Sequence, residues 1–133
     1  MQYTVRDWMM DVVVYIDPDQ TVLDALSLMR RRYTHSVIVD KSEKTPEFGI
    51  ITSTDISDKI VAQSKNPGIV KCAQIMTSPL IIVQDNLKLE ECAALMKKHH
   101  IHHLPVENEN HELIGMISAT DFMVAAETMG HAG

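Results

Sequence analysis

The feature that most constrains this chain is an eight-residue pattern that occurs twice. The sequence reads Gly-Ile-Ile-Thr-Ser-Thr-Asp-Ile at residues 49–56 and Gly-Met-Ile-Ser-Ala-Thr-Asp-Phe at residues 115–122. Each copy begins with a short apolar run and ends with hydroxyl and carboxylate residues, which commonly cap the start of a helix. The glycine permits an unusual backbone angle or the close approach of another segment. The pattern therefore predicts two corners at which a strand turns into a helix.

The repeat extends over the rest of the chain. A shift of 67 residues aligns identical pairs: Met9 with Met76, Leu28 with Leu95, His35 with His102, and Val39 with Val106. Beyond the polar loop that follows Val39 the shift becomes 66, and such loops tolerate a change of length. We therefore predict two repeated units, residues 1–63 and 69–130, joined by a linker at residues 64–68.

Each unit is expected to contain a short helical lead-in followed by strand, helix, strand, strand and helix. Residues 12–16 and 80–83 are rich in β-branched side chains and predict the first strands. Thr21 is a plausible N-cap of the first helix, because Asp24 follows three residues later as in a capping box. Pro105 lies in a second strand and predicts an edge position, because proline cannot donate to a ladder.

The fold class expected from this order is α/β. About 60 residues are too few for one unit to close a core alone. Two copies packed sheet to sheet could do so, and pseudo-two-fold symmetry would create two equivalent clefts. The 133 residues, 45% of them hydrophobic, fit a globular domain rather than a disordered chain.

Composition and motifs exclude several classes of function. The net charge of −6 argues against a general nucleic-acid surface. We find neither an apolar run near the roughly 20 residues of a membrane helix nor a secretion signal, so a cytoplasmic protein is expected. Cys72 and Cys92 form no metal or redox motif, and Cys92 is expected in a helix core. No nucleotide-binding or hydrolase motif indicates an enzyme.

Asp55 and Asp121 are the first candidates for ligand binding. Each is expected in the first turn of a helix, where free N–H groups and partial positive charge suit an anion. Their carboxylates would repel phosphate but could accept both hydroxyls of a ribose. The same corners add further hydroxyls, from Thr52, Thr54, Ser118 and Thr120. These groups suit an adenosine nucleotide, although either corner alone could be a capped turn without a ligand.

Histidines recur where the first helix leads into the second strand. His35 and His102 are equivalent, and their imidazoles could donate to a phosphate or be satisfied surface donors. A histidine cluster at residues 99–103 also permits a zinc interpretation, but structural zinc requires four ligands. His99 and His103 could share a face only if the helix continued through both, and the strand expected from His103 begins too soon.

The duplicated pattern resembles a pair of CBS domains (cystathionine β-synthase type), called a Bateman module. The resemblance covers essentially the whole chain and rests on both corners and on Met-Thr-Ser-Pro-Leu-Ile-Ile-Val at 76–83, Thr-His-Ser-Val-Ile-Val at 34–39 and Ile-His-His-Leu-Pro-Val at 101–106. It implies a stand-alone regulatory sensor that binds AMP, ADP, ATP or a related ligand such as S-adenosylmethionine. It also implies a homodimer, and an enzyme or transporter is a candidate for the regulated partner. The alternative is a protein-interaction or dimerisation module with vestigial clefts.

The resemblance further implies which residues would meet the ligand. One cleft would combine Asp121 and Ser118 with Val12, Val14, Thr34 and His35. The other would combine Asp55 and Thr52 with Thr77, Pro79, Ile81, Ile101 and His102. His102 and His103 match basic phosphate contacts of the family, whereas Ser36 replaces a basic residue in the other copy. Met116, a strand residue beside its corner, completes the candidate contacts.

Overall fold

The structure is a computed structural model and describes residues 3–132. The first copy contains α1 (Val5–Trp8), β1 (Tyr15–Ile16), α2 (Val22–Arg31), β2 (Ser36–Val39), β3 (Gly49–Thr52) and α3 (Ser53–Ile56), which continues as a π-helix at Ser57–Val61. The second copy contains α4 (Cys72–Ile75), β4 (Val83–Gln84), α5 (Leu89–His99), β5 (His103–Glu107), β6 (Leu113–Ser118) and α6 (Ala119–Ala132). The predicted order of elements is confirmed in both copies.

Two three-stranded sheets repeat the same topology. Their strand orders are β1-β2-β3 and β4-β5-β6. In each sheet the first strand pairs parallel to the central strand, and the third strand pairs antiparallel to it. The antiparallel pair brings the start of the central strand opposite the end of the third, so Ser36 faces Thr52 and His103 faces Ser118. Each corner therefore begins beside the start of the central strand of its own copy, which follows His35 in the first copy and His102 in the second.

The chain divides into two compact units that are offset from the sequence repeats. The first, called here the 14–80 unit, is Val14–Leu80. The second, called here the split unit, combines the segment that ends at Val13 with the segment that begins at Ile81. Helix α4 packs against β3 in the 14–80 unit, and α1 packs against α6 in the split unit. Each unit thus contains the lead-in helix of the other repeat, while the bounds 1–63 and 69–130 stay a prediction.

Each unit has its own apolar core, and each core contains one cysteine. The core of the 14–80 unit includes Ile16, Val22, Val37, Ile51 and Cys72, and the core of the split unit includes Val5, Leu89, Cys92, Leu104 and Ile117. Both cysteines are free thiols. Burial raises the pKa of each thiol to about 11, and for Cys72 the carboxylates of Asp24 and Asp17 add to the effect. The expected burial of Cys92 is confirmed.

The first strand of each copy is shorter than predicted. Instead of residues 12–16 and 80–83, only the residues of β1 and β4 are paired, starting opposite Ile38 and Val106. β-branched residues indicate a fit to a pleated surface, but they do not show how far a neighbouring strand supplies partners. Three candidate ligand contacts therefore precede the strands rather than lie in them: Val12, Val14 and Ile81.

The edge position predicted from Pro105 is wrong, because β5 is the central strand of its sheet. On one side Pro105 faces Met116 in the antiparallel ladder. On the other side, pairing with β4 begins only one residue later, where Val83 meets Val106. The missing N–H of the proline therefore falls beyond the end of the parallel ladder. Because no ladder hydrogen bond is lost there, the restriction on proline in strands does not apply at this position.

Helix ends agree in part with the sequence pattern. Thr21 and Asp24 cap α2 reciprocally, since each side chain accepts a hydrogen bond from the backbone N–H of the other residue, at 3.1 and 3.2 Å. The equivalent position before α5 is Lys88, whose side chain makes no capping bond. Basic side chains occupy the last turns of both helices, as predicted. Among residues 3–132, no helix has the length and apolar character needed to cross a bilayer.

Candidate ligand-binding site

The glycine of each corner serves a close approach rather than an unusual backbone angle. Neither Gly49 nor Gly115 has a positive φ. A Cβ atom at Gly115 would overlap the carbonyl oxygen of Met10, and one at Gly49 would overlap the side chain of Met76. The backbones of Met10 and Met116 exchange two hydrogen bonds of 2.9 Å at the first of these crossings. The lead-in segment of the opposite repeat thus crosses directly over each corner strand.

Both aspartates fold back onto the end of the strand that precedes them. Asp55 Oδ2 accepts the backbone N–H of Thr52 at 2.9 Å, and Asp121 Oδ2 accepts that of Ser118 at 2.8 Å. The hydroxyls of Thr52 and Ser118 also donate to these oxygens, at 3.4 and 3.2 Å. The corner predicted from the sequence is therefore confirmed. One oxygen of each carboxylate is used to fix the turn.

The second oxygen distinguishes the two corners. Asp55 Oδ1 accepts hydrogen bonds from Lys59 Nζ and from the Thr77 hydroxyl, both at 2.8 Å. The Asp55 residue is buried, with 5% of its surface exposed. Asp121 is half-buried, and its Oδ1 has no hydrogen-bond partner among residues 3–132. Of the two corner aspartates, only Asp121 therefore has a carboxylate oxygen, Oδ1, that is free to accept a hydrogen bond beside the end of its strand.

The hydroxyls and histidines near the Asp121 corner lie in the split unit. Ser118 Oγ is 2.7 Å from Thr120 Oγ1, so these two hydroxyls form one polar group at the helix start. His103 lies opposite Ser118 in the ladder, and the carbonyl of His102 accepts the backbone N–H of Ala119 at 3.0 Å. The structure thus brings His102 and the first residue of β5, His103, directly beside the Asp121 corner.

Two cavities occupy equivalent places in the two units. The cavity of the 14–80 unit measures about 670 Å³ and is lined by Met29, Arg30, Thr34, His35, Ser53 and Ile56 among others. The cavity of the split unit measures about 340 Å³ and is lined by the repeat equivalents Met96, Lys97, Ile101, His102, Ala119 and Phe122. Each combines apolar walls with cationic side chains. Asp55 and Asp121 do not line them in the described part of the chain.

The remaining candidates have varied environments. Ser36 is buried in β2, and Met116 is half-buried in β6. Helix α5 ends at His99, and His100 adopts a left-handed conformation with φ of 54°. His99 and His103 therefore do not share a helix face, as the strand pattern predicted. Further candidate contacts have exposed side chains, namely Val12, Thr54, Thr77, Pro79 and Ile81.

Sequence reasoning missed Lys59, although a local signal was available. Lys59 lies four residues after Asp55, a spacing at which opposite charges on a helix meet. The 66-residue shift places Ala125 at the equivalent position of the second copy. The two corners align as far as Ile56 and Phe122, and the difference lies in the next turn, at Lys59 and Ala125.

A family model described as CBS domain matches the chain twice, at residues 5–62 and 72–127. The chain belongs to the CBS-domain family. The CBS domain-containing protein YhcV of Bacillus subtilis is 29% identical over 130 residues, which cover 98% of this chain and 90% of YhcV. The uncharacterized protein MK0525 of Methanopyrus kandleri is 33% identical over 111 residues, or 84% of this chain. The chain spans only 56% of the length of MK0525.

Solved CBS-domain structures share the fold. The hexameric CBS-CP12 protein from bloom-forming cyanobacteria matches with a TM-score of 0.87 and 29% identity, covering 98% of this chain and 75% of that one. The CBS domain pair of protein MJ0100, solved with 5′-methylthioadenosine and S-adenosyl-L-methionine, matches with a TM-score of 0.81 over 97% of this chain and 99% of that one. Its identity is 21%, so that likeness concerns the fold alone. CBS-domain pairs are regulatory modules, which supports the regulatory class of function expected from the sequence.

Proposed function

We propose that this CBS-domain pair is a regulatory module that binds an adenosine nucleotide, with the ribose hydroxyls held by an aspartate corner. AMP, ADP and ATP are the ligands of choice, and S-adenosylmethionine is a related one. The neighbour MJ0100 was solved with two adenosine-containing ligands, which supports this ligand class. The candidate contacts implied by the family resemblance remain part of the proposal.

The observation that carries the proposal is the free acceptor at Asp121. Its Oδ2 is held by the Ser118 backbone at 2.8 Å, while Oδ1 has no partner among residues 3–132. A carboxylate oxygen accepts hydroxyl donors well, and hydrogen bonds to charged groups contribute about 1.5–3 kcal/mol each. Fixing one oxygen orients the other, so little entropy is lost when a sugar binds.

The test is a titration with AMP, ADP, ATP and S-adenosylmethionine, followed by thermal unfolding and calorimetry. A ligand at about 100 times its Kd should raise the unfolding midpoint by on the order of 5–10 °C. The Asp121→Asn variant should bind AMP at least tenfold more weakly, about the loss of one charge-assisted hydrogen bond. Glu109→Gln, at an exposed loop position, is the matched control for loss of one negative charge.

A second comparison isolates the ribose. The 2′,3′-dideoxy analogue of AMP lacks both hydroxyls and should give little of the stabilisation seen with AMP. Equal responses to the two ligands would contradict a role for the sugar. No response to any adenosine ligand at millimolar concentration would defeat the proposed function.

Exposed apolar side chains on α6 favour a second candidate, a protein-interaction module. Met123, Val124 and Met129 are 72%, 56% and 45% exposed on this helix. Large apolar side chains that stay exposed to solvent can mark a contact with a partner. A homodimer is the assembly we propose for this surface, and regulation of an enzyme or transporter would act through it.

A further inference from the structure

Lys59 is held in place by three acceptors of the 14–80 unit. Its Nζ donates to Asp55 Oδ1 at 2.8 Å, to the carbonyl oxygen of Ile75 at 2.7 Å, and to the Thr77 hydroxyl at 3.5 Å. An ammonium group has three donors, so this set uses all of them. The side chain is 37% exposed, whereas that of Asp55 is only 7% exposed. The lysine therefore covers the carboxylate from the solvent side.

The Asp55 carboxylate has no acceptor capacity left. Two carboxylate oxygens offer about four lone-pair sites. The chain itself supplies four donors, which are the N–H and hydroxyl of Thr52, the ammonium of Lys59 and the hydroxyl of Thr77. A ribose could reach this carboxylate only by displacing some of them. Replacing an ammonium by a neutral hydroxyl exchanges a charge-assisted bond for a weaker interaction.

The split unit lacks both groups that fill the Asp55 carboxylate in the 14–80 unit. Ala125 stands at the position equivalent to Lys59, and Met10 stands at the position equivalent to Thr77. Ala125 is buried and has no donor to offer. The difference between the corners is therefore written in the sequence and does not depend on a single rotamer.

We infer that Lys59 is an internal cation that occupies the Asp55 carboxylate, so that the chain holds one ribose at Asp121 rather than two. This inference rests on the proposed function for its ligand, but not for the lysine–aspartate contact. Lys59 is then a specificity-determining residue, because it sets how many nucleotides each chain binds. It also ties the π-helix that continues α3 to the last residue of α4, Ile75, and to Thr77 just beyond it.

Calorimetry with AMP on the full chain tests the number of sites. Wild-type protein should bind about one AMP per chain. The Lys59→Met variant should gain a second saturable event, and that event should disappear again in Lys59→Met/Asp55→Asn. Lys59→Gln provides a second variant, because its amide can still donate to the Ile75 carbonyl while the charge is removed. Two AMP molecules bound per wild-type chain, or one per chain in both lysine variants, would overturn the inference.

Urea unfolding without ligand tests the contact independently of nucleotide binding. In a double-mutant cycle of Lys59→Met and Asp55→Asn, the lysine substitution should raise the unfolding constant about fivefold more in the wild-type background than in the Asp55→Asn background. Lys41→Met, at an exposed position outside this network, is the control and should show no coupling to Asp55→Asn. Absence of coupling would overturn the lysine–aspartate contact. Coupling without AMP binding in any variant would instead defeat the proposed function alone.

Discussion

Gly115 lies where two backbones cross, and its hydrogen side chain is what allows them to meet. Met10 passes over it closely enough to exchange two backbone hydrogen bonds with Met116. Glycine carries an entropic cost in a strand. Here that cost is offset by ladder bonds that any larger residue would disturb.

Replacing Gly115 by alanine should therefore destabilise the fold. The new Cβ would overlap the Met10 carbonyl, which is backbone and cannot rotate away. Overpacking of this kind costs about 1–3 kcal/mol, measured as a lower midpoint in urea. Gly130→Ala is the matched control, because no atom lies within 4 Å of a Cβ there and alanine favours a helix. If the two variants unfolded alike, the crossing would carry no energetic weight.

At the scale of single residues, the sequence predicted both corners but not the different hydrogen-bond partners of Asp55 and Asp121. The spacing of Thr52 and Asp55, repeated at Ser118 and Asp121, was enough to predict a capped strand–helix turn. The contact with Thr77 joins residues 22 apart and depends on how α4 packs, so local spacing could not reveal it. The sequence repeat therefore predicted two similar sites, whereas in the structure the side chains around Asp55 and Asp121 differ.

Helices α2 and α5 are equivalent elements with different starts. Thr21 and Asp24 form a reciprocal cap at α2, while Lys88 offers no acceptor at α5. A cap satisfies N–H groups that the helix itself leaves unpaired.

Thr21→Ala should lower the free energy of unfolding by about 1 kcal/mol, the usual loss for an N-cap. Lys88→Ala, at the equivalent position, should change it by only a few tenths of that amount, because no capping bond is lost. Chemical denaturation of both variants provides the comparison. An equal loss at the two positions would show that the cap of α2 contributes nothing beyond propensity.

The lengths of the strands and their order within each sheet were the least predictable part of the fold. Residues 36–39 and the corners were predicted correctly, because apolar runs beside turn residues define them locally. The lengths of β1 and β4, and the central place of β5, depend on which strands become neighbours. Pro105 predicted an edge position because proline has no N–H to donate. Whether that donor is needed depends on the length of the neighbouring strand β4, which the sequence around Pro105 does not show.

Considered as a whole, the molecule keeps one thiol in each of its two cores. Cys72 and Cys92 have pKa values of about 11 because burial disfavours the thiolate. In the unfolded chain a cysteine ionises near its ordinary value of 9.0. The neutral thiols therefore stabilise the folded state fully below about pH 9, and this contribution is lost as the pH rises toward 11.

Stability should accordingly fall between pH 9 and 11, measured as the urea midpoint at several pH values. Lysine and tyrosine side chains also titrate in this range, so the informative quantity is the difference between variants. Cys72→Ala/Cys92→Ala should be less stable near neutral pH but should lose less stability over the alkaline range. A parallel decline in both proteins would contradict the raised pKa values.

The placement of the lead-in helices has a consequence for how such a chain could arise. Helix α1 belongs to the unit built from the later half of the sequence, and α4 belongs to the unit built from the earlier half. In an assembly of single ancestral copies, the lead-in helix of each copy would have had to pack in the unit formed mostly by another copy. Duplication within one gene encodes both lead-in helices in the same chain. Cutting the linker at residues 64–68 would therefore leave each fragment without the lead-in helix that completes its unit.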